Sequence, residues 1–334
     1  MNPFPRTPLP LLPSRVYPTQ PGARSHWIET LRGPKNVVNA SLPYAYLWEE
    51  ETGPDGSPVA TATVFLTNRE CPYLCLMCDL WRNTLDEPVA PGAIAAQIRL
   101  ALADLPPARN VKLYNSGSFF DPKAIPTGDY AEIAEAISGF ERVIVECHPL
   151  LIGERTLTFR DRLKGRLEVA IGLETVHPEA LNRLNKRFTP DDFRRAARFL
   201  TENGMDLRVF LLVGAPFLNR EESRYWTERS LESAFDAGAT VCCLIPVRGG
   251  NGAMEALAEA GEFHPPSLNA PEAAQEYGLR LNAGRVFSDT WDIERFFTCR
   301  CSRERAQRLE QMNREQRIPP PVVCSVCDEK EDRE

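Results

Sequence analysis

The sequence predicts an α/β protein built on a parallel sheet, and three observations support this fold class. Between residues 60 and 250, six short apolar runs alternate with segments whose apolar residues recur at helical spacing. Polar residues follow each run, as they do where the C-terminal ends of parallel strands form a site. The chain has 334 residues, 43% hydrophobic and 25% charged, so it can bury a large core. Six β-then-α units imply parallel strands joined by right-handed crossovers.

Residues 1–59 form a lead-in segment before this alternating region. Residues 1 to about 22 are rich in proline and are expected to be extended or disordered. The turn Gly53–Gly56 separates Tyr44–Glu50 from Val59–Thr67, and these two stretches are expected to form a hairpin that enters the sheet. Because prolines interrupt the N-terminus and no apolar run reaches about 18 residues, we expect neither a signal peptide nor a membrane span. The expected location is the cytoplasm.

The core region, residues 60–250, supplies the strands and helices of the predicted sheet. The predicted strands are Ala62–Thr67, Val111–Tyr114, Arg142–Glu146, Leu167–Leu173, Asp206–Val213 and Thr240–Ile245. The predicted helices between them are Ile94–Leu105, Tyr130–Ile137, Asp191–Asn203 and Glu221–Ala237. Thr189 is a suitable N-cap for the third of these helices, and Gly204 a suitable C-terminal stop.

Beyond residue 250 the sequence predicts two further segments. Residues 251–298 contain expected helices near Ala253–Ala260 and Pro271–Ala283, followed by a short strand at Arg285–Ser288. Residues 299–334 form a cysteine-rich tail with a helical pattern at Glu304–Gln311. The net charge of −7 argues against a strongly cationic nucleic-acid surface, although a local basic patch remains open.

Three of the ten cysteines lie within eight residues, directly after the first predicted parallel strand. Cys71, Cys75 and Cys78 have the spacing C-x3-C-x2-C, and their thiolates are soft ligands suited to zinc or an iron–sulfur cluster. Three ligands are one short of a closed four-cysteine site. Either a distant residue completes the site, or one coordination position stays open, as catalysis requires.

This spacing resembles the cluster motif of the radical S-adenosylmethionine (SAM) enzymes. The resemblance covers residues 60 to about 250 and implies a partial (β/α)6 TIM-like barrel. The cysteine-rich C-terminal extension beyond it is expected from its own cysteine spacing to bind metal. It implies a [4Fe–4S] cluster whose fourth iron binds SAM, and reductive cleavage of SAM to a 5′-deoxyadenosyl radical that abstracts hydrogen. Asn115–Pro122 and Glu146–Pro149, followed by Gly172–Thr175, resemble the archaeosine-synthase radical SAM subunit and the group around the Elongator catalytic subunit.

The same resemblance assigns SAM-binding roles to residues on several strand ends. They are Met77, Asn115, Ser116, Gly117, Ser118, Glu146, Glu174, Lys186, Arg187, Gly249 and Gly250. Residues 115–118 stand where the family has a Gly-Gly-Glu-Pro-like segment for the SAM amino group, but this chain lacks the glutamate. Glu146 and Glu174 match acids that bind the ribose hydroxyls. Lys186, or Arg187 beside it, matches a cation that meets the SAM carboxylate.

The remaining positions concern the adenine. Met77 precedes the last cysteine of the loop, where the family usually has an aromatic residue near the adenine. Gly249 and Gly250 follow the sixth strand and allow the backbone to approach the adenine or the substrate. His148, before a proline, is expected to be structural rather than a catalytic base. Cys242 and Cys243 lie within the sixth strand and are expected in the core.

The tail carries two further cysteine pairs with metal-ligand spacing. Cys299, Cys301, Cys324 and Cys327 predict a second metal site, with zinc as the preferred metal and a second iron–sulfur cluster as the alternative. The sequence as a whole therefore predicts a radical SAM enzyme that takes electrons from a reductase, flavodoxin or ferredoxin type of donor. Its substrate is an RNA base or, alternatively, a small metabolite. The competing interpretation is a non-catalytic, zinc-binding scaffold.

Overall fold

A computed structural model of the chain describes residues 11–326, and within them eight strands form one sheet in sequence order. β1 (Ala45–Thr52) pairs antiparallel with β2 (Pro58–Phe65), so the hairpin predicted around Gly53–Gly56 is confirmed. The parallel strands after β2 are β3 (Asn110–Tyr114), β4 (Arg142–Cys147), β5 (Arg166–Glu174), β6 (Asp206–Val213), β7 (Val241–Pro246) and β8 (Arg285–Ser288). The six predicted parallel strands correspond to β2–β7, and β8 adds a seventh.

The helices mostly follow the predicted pattern. They are α1 (Pro21–Thr30), α2 (Ala93–Asp104), α3 (Tyr130–Ala136), α4 (Glu154–Arg160), α5 (Pro178–Arg183), α6 (Pro190–Glu202), α7 (Arg220–Asp236), α8 (Ala253–Glu259), α9 (Asn269–Leu281) and α10 (Ser302–Glu315), with 3-10 turns at Leu80–Asn83, Thr127–Asp129, Pro149–Leu151 and Ile293–Phe296. The predicted cap of α6 is present, because Thr189 and Asp192 exchange side-chain-to-backbone hydrogen bonds. No helix within residues 11–326 is long and apolar enough to span a bilayer.

The sequence did not predict two helices, α1 and α4, and it predicted α5 only in part, as a basic helix and turn over residues 181–187. The segment expected to be extended or disordered does lack helix and strand over residues 11–20, but α1 begins at Pro21. Its buried side chains include Arg24 and Ser25, so it shows no apolar stripe of the kind that predicts a helix. The other missed helix, α4, is only seven residues long and buries Thr156 and Phe159.

The sheet curls into a partial barrel, as contacts between distant strands show. In a flat sheet, β1 and β8 would lie about 34 Å apart, at roughly 4.8 Å per strand spacing. Instead, the Arg285 guanidinium on β8 donates to the Thr52 carbonyl oxygen on β1 over 2.7 Å. Arg208 on β6 likewise reaches Glu51 on β1 over 2.5 Å. The predicted partial barrel is therefore confirmed.

Ion pairs fill the inside of the barrel toward the N-terminal ends of the strands. Arg208 is 2% exposed and contacts Glu51 and Glu168, while Lys112 contacts Glu51 over 2.7 Å. Attraction to Arg208 and Lys112 outweighs burial and lowers the pKa of Glu51 far below its usual range. These charges are paired with one another. The side chains available to bind a ligand are therefore expected at the opposite, C-terminal ends of the strands.

The seam between the two edge strands is covered by α10. Asn313 accepts from the Ser288 N–H through Oδ1 and donates to the Ser288 carbonyl oxygen through Nδ2. Gln316 similarly accepts from the Val286 N–H over 2.8 Å. These two side-chain amides hydrogen-bond to the backbone along the outer edge of β8, as a neighbouring strand would, and they protect that edge.

Candidate functional site

The cysteine loop begins where β2 ends and lies at the C-terminal edge of the sheet. Cys71, Cys75 and Cys78 are partly exposed, and none of the described cysteines forms a disulfide. Burial raises the pKa of each of the three thiols to about 12. Backbone N–H groups of Tyr73 and Leu80 hydrogen-bond to Cys71 and Cys78. Such hydrogen bonds to sulfur are among the features that tune iron–sulfur sites.

Two asparagines from other loops fix the backbone of the cysteine loop. Asn185 Nδ2 donates to the Leu74 carbonyl oxygen over 2.7 Å, and Asn251 Nδ2 donates to that of Leu76, also over 2.7 Å. Leu76 in turn donates its N–H to the Leu184 carbonyl oxygen over 2.9 Å. Neither asparagine was predicted from the sequence to contact the cysteine loop. The one local signal for Asn251 is its place among glycines in residues 249–252.

The turn after β3 packs directly against the first cysteine. A Cβ added at Gly117 would lie 3.1 Å from the Cys71 Cβ, closer than neighbouring side chains ordinarily approach. Ser116 has a positive φ of 52° and hydrogen-bonds to the Tyr44 hydroxyl over 2.9 Å. Ser118 Oγ accepts from the His148 N–H over 3.0 Å. Residues 115–118 therefore line the site beside the cysteine loop.

Glu146 supports this turn, a role that the sequence analysis did not foresee. Its Oε1 accepts from the backbone N–H groups of Asn115 over 2.7 Å and Gly117 over 3.3 Å. Burial raises the pKa of Glu146 to about 7, although these N–H groups act in the opposite direction. The carboxyl group therefore titrates near neutral pH beside Cys71.

Asn115 carries the clearest unmet hydrogen-bonding capacity near the cysteines. Its side chain is fully buried, and within residues 11–326 neither Nδ2 nor Oδ1 has a hydrogen-bond partner. Buried amides without partners are uncommon in folded proteins and call for an explanation. A polar ligand that brings both a donor and an acceptor would satisfy this group.

Glu174 and Lys186 form one buried ion pair instead of two separate groups. Lys186 Nζ lies 2.5 Å from Glu174 Oε1 and donates to the Gly172 carbonyl oxygen over 3.0 Å. Burial lowers the pKa of Lys186, but Glu174 and Cys75 outweigh burial and raise it. A Cβ on Gly172 would lie 2.2 Å from the Glu174 carboxylate, so the pair requires glycine at this position.

The other predicted ligand residues occupy the edges of the site. Arg187 is exposed and donates to Ser25 Oγ over 2.7 Å, so Lys186 is the inward of the two cations. Met77 is partly buried against the apolar cluster that contains Leu76 and Met254. Gly249 and Gly250 approach Glu255, whose carboxylate accepts from the Gly250 N–H.

His148 is a buried residue that makes a hydrogen bond at each ring nitrogen. Burial and the nearby Lys186 ammonium lower the pKa of His148 to about 3. Its Nδ1 accepts from the Leu150 N–H over 3.3 Å, so Nε2 donates to the Lys186 carbonyl oxygen over 2.8 Å. The ring stacks on Tyr73 of the cysteine loop at 3.6 Å. His148 therefore joins that loop to the Lys186 segment.

The tail brings three of its four predicted ligands together. The sulfurs of Cys299, Cys301 and Cys324 lie within 4.8 Å of one another, with 3.6 Å between Cys299 Sγ and Cys324 Sγ. They form the one such group of His, Cys, Asp or Glu side chains that residues 11–326 contain. The fourth predicted ligand, Cys327, lies outside the described residues.

Comparisons with known proteins place this site in context. No protein-family model matches the sequence. The chain is 23% identical over 317 residues to an uncharacterized protein of Methanocaldococcus jannaschii, covering 88% of this chain and 87% of that one. It is 29% identical over 233 residues to archaeosine synthase subunit beta of Methanosarcina acetivorans, covering 65% and 67%. The predicted resemblance to this subunit is thereby confirmed.

The chain is also similar to two solved structures over part of its length. Elp3 of Methanocaldococcus infernus has a TM-score of 0.47 at 16% identity, over 58% of this chain and 51% of that one. Methylornithine synthase has a TM-score of 0.44 at 15% identity, over 79% of this chain and 84% of that one. This chain therefore spans about half the length of the archaeal Elp3 chain.

Proposed function

We propose that this chain is a radical SAM enzyme in which Cys71, Cys75 and Cys78 hold a [4Fe–4S] cluster. The observation that carries the proposal is the C-x3-C-x2-C loop at the C-terminal end of the first parallel strand. Around this loop stand the orphaned Asn115 amide and the Glu174–Lys186 pair. The named similarity to archaeosine synthase subunit beta supports the same reaction class.

The spacing of the sulfurs favours a cluster over a single zinc ion at the cysteine loop. Four thiolates about 2.3 Å from one tetrahedral zinc lie roughly 3.8 Å from one another. Within residues 11–326, a group of three ligands this compact occurs in the tail but not at Cys71, Cys75 and Cys78. A four-iron cluster binds each cysteine at a different iron, so its three sulfurs stand farther apart than the ligands of one zinc ion, and the loop sulfurs do not all lie within 4.8 Å of one another. The loop therefore fits the cluster better than it fits the zinc-scaffold alternative.

When bound, the cluster and SAM supply one-electron reductive cleavage of SAM, the chemistry that starts hydrogen abstraction from a substrate. The protein's own residues bind and orient the ligand. Asn115 and the turn that Glu146 supports would hold the SAM amino group, Lys186 would hold its carboxylate, and Glu174 would accept hydrogen bonds from its ribose hydroxyls. Because Glu174 and Lys186 contact each other, their ion pair would have to open or share its atoms with the ligand if both groups bind it.

An RNA base is the proposed substrate, and a small metabolite is the alternative. The name of the Methanosarcina relative supports the RNA base, and the word subunit in that name supports a partner chain. An electron donor of the reductase, flavodoxin or ferredoxin type completes the proposal, and the proposed location is the cytoplasm. Comparing the RNA nucleosides and metabolites of deletion and wild-type cells tests the substrate. A changed nucleoside supports RNA, and a change confined to metabolites contradicts it.

The tail is proposed to bind a single structural zinc ion. The 3.6 Å between Cys299 Sγ and Cys324 Sγ is close to the roughly 3.8 Å edge of a tetrahedral zinc–thiolate site. The same compactness argues against a second iron–sulfur cluster. Cys327 is the proposed fourth ligand.

Anaerobic reconstitution with iron and sulfide tests the proposed reaction class. We expect about four iron atoms per chain at the cysteine loop, a brown chromophore that dithionite bleaches, and formation of 5′-deoxyadenosine from SAM. A colourless protein that holds two zinc ions would support the scaffold interpretation instead, since zinc has no redox chemistry.

Changing Glu174 to glutamine is expected to weaken SAM binding by about 1–3 kcal/mol, because the ribose hydroxyls lose a charged acceptor. Alanine at this position is a poorer test, since it leaves the buried Lys186 ammonium without its partner, a change that costs about 3–5 kcal/mol of stability. Isothermal titration of the reconstituted protein measures the SAM affinity.

The exposed Glu132 provides the matched control, since Glu132→Gln makes the same chemical change on α3. Its SAM affinity should equal that of the wild type. The iron content should be unchanged in both variants. Wild-type SAM affinity in Glu174→Gln would show that this carboxylate does not contact SAM.

A further inference from the structure

The segment before the sheet, residues 11–36, wraps around the cysteine side of the barrel, and we call it the N-terminal collar. Tyr17 stacks on Phe217, which follows β6, with ring centroids 5.6 Å apart. Gly252, in the loop after β7, packs closely on Leu31, because a Cβ at this position would lie only 1.9 Å from the Leu31 carbonyl oxygen. The collar thus packs against the loops at the C-terminal ends of these two strands.

Two buried polar side chains of α1 bond a third loop, the 182–187 turn after β5. Arg24 is 6% exposed, and its Nη1 donates to both the carbonyl and the side-chain oxygen of Asn182, each over 2.8 Å. Ser25 Oγ accepts from Asn185 Nδ2 over 3.2 Å and from Arg187 Nη2 over 2.7 Å. Hydrogen bonds to this turn therefore explain why the polar side chains of Arg24 and Ser25 are buried.

The 182–187 turn has a strained backbone. Asn185 has a φ of 57° and Arg187 a φ of 60°, which places both in the left-handed region. Such conformations are costly for residues other than glycine and persist only where surrounding contacts enforce them. The hydrogen bonds from α1 provide part of that enforcement.

The same turn contacts two parts of the proposed site. Asn185 Nδ2 donates to the Leu74 carbonyl oxygen between Cys71 and Cys75, and the Leu184 carbonyl oxygen accepts from the Leu76 N–H. Lys186, inside the turn, carries the ammonium that pairs with Glu174. A shift of the turn would therefore move the cysteine loop and the proposed SAM cation together.

We propose that Arg24 and Ser25 are positioning residues that hold the 182–187 turn, and through it the cysteine loop and Lys186, in the geometry that binds SAM. The proposal rests on the proposed function, which it extends to a segment outside the barrel. Neither side chain touches the cluster or SAM. Each acts through Asn182, Asn185 and Arg187.

Hydrogen exchange of the metal-free, full-length protein tests the mechanical part of the proposal without any cofactor. In Ser25→Ala and Arg24→Gln, peptides covering residues 70–80 and 182–187 should exchange at least fivefold faster than in the wild type. Peptides confined to the strands β4, β5 and β6 themselves should keep wild-type rates. Thr30→Ala is the matched control, since it removes a hydroxyl from the same helix whose partner is the Trp27 carbonyl oxygen.

SAM titration of the reconstituted variants tests the functional part. We expect the Kd for SAM to rise at least tenfold in Ser25→Ala and Arg24→Gln, with iron content within about a fifth of the wild type. The electron paramagnetic resonance change that SAM causes in the reduced cluster should be weaker. Ser25→Thr, which keeps the hydroxyl, should restore the affinity, and Thr30→Ala should not alter it.

The possible results separate this inference from the proposed function. A wild-type protein that takes up no cluster contradicts the proposed function, while the exchange data still report on the turn. Wild-type exchange rates in both α1 variants overturn the positioning role even if the enzyme cleaves SAM. If Ser25→Ala unfolds as a whole, Arg24→Lys provides the test. It keeps the charge but loses the planar fork, and wild-type exchange and SAM affinity in this variant overturn the inference.

Discussion

Replacing Cys71, Cys75 or Cys78 by alanine is expected to abolish both iron binding at the cysteine loop and SAM cleavage. In the proposed cluster each thiolate anchors a different iron, so two thiolates would leave a second iron without a protein ligand. The loop cannot shift to bring another ligand into the place of the lost sulfur, because hydrogen bonds from Asn185 and Asn251 fix the backbone on either side of Cys75. The measurement is 5′-deoxyadenosine formed with dithionite, together with iron and sulfide per chain.

Cys242→Ala is the control for this series. Cys242 is fully buried in β7, so its loss also removes a thiol, but it does so in the apolar core. This variant should keep the iron content and the SAM cleavage of the wild type, with only a modest loss of stability. Wild-type cleavage in any single variant of Cys71, Cys75 or Cys78 would contradict the assignment of the cluster.

The strands were predictable because their signal is local. Continuous apolar runs of four to eight residues mark strands that are buried on both faces, and six such runs identified β2–β7. The predicted strand at Arg285–Ser288 coincides with β8. The sequence did not show that β8 closes toward β1, because that contact joins Arg285 to Thr52 across 233 positions. The covering of this seam by Asn313 and Gln316 was equally invisible, since amides on a polar helix carry no pattern.

The candidate site likewise has one part that could be predicted from the sequence and another part that could not. The cysteines, Glu146 and Glu174 could be selected as candidates because they lie at or after the ends of predicted strands, and the structure places them at one edge of the sheet. Their partners were not predictable. Glu146 bonds the backbone of the 115–117 turn, and Glu174 bonds Lys186, because both acids lie in a site where burial makes a lone carboxylate costly.

The N-terminal collar shows a different limit of sequence patterns. Its helix α1 buries Arg24 and Ser25, and hydrophobic periodicity is blind to a face that packs through polar groups. Asn185 and Asn251 reach the cysteine loop from positions 111 and 175 residues away. Single residues that act over such separations leave no local spacing to recognise. For the same reason, mutation is a better way than a motif search to identify the role of such residues.

The second large effect is expected in the tail, where changing Cys324 and Cys327 together to serine should release one zinc ion per chain. Two of the four proposed ligands are then lost, and the free energy of metal binding no longer contributes to folding. The structure limits how far the damage spreads. Arg308 bonds Glu272 and Glu276 and, with Leu309 in the core, keeps α10 docked on α9. We therefore expect proteolysis to begin after Gln316, with the helix itself retained.

Metal analysis of this double variant, beside the wild type, identifies the tail metal. If the metal is zinc, the zinc content falls by one per chain while the iron at Cys71, Cys75 and Cys78 stays the same. If the tail held a second cluster, total iron would fall instead. The 3.6 Å between Cys299 Sγ and Cys324 Sγ argues against that outcome. Ser325→Ala, between the two changed positions, is the control and should keep the metal and the melting temperature. Unchanged zinc and iron in the double variant would show that these cysteines bind no metal.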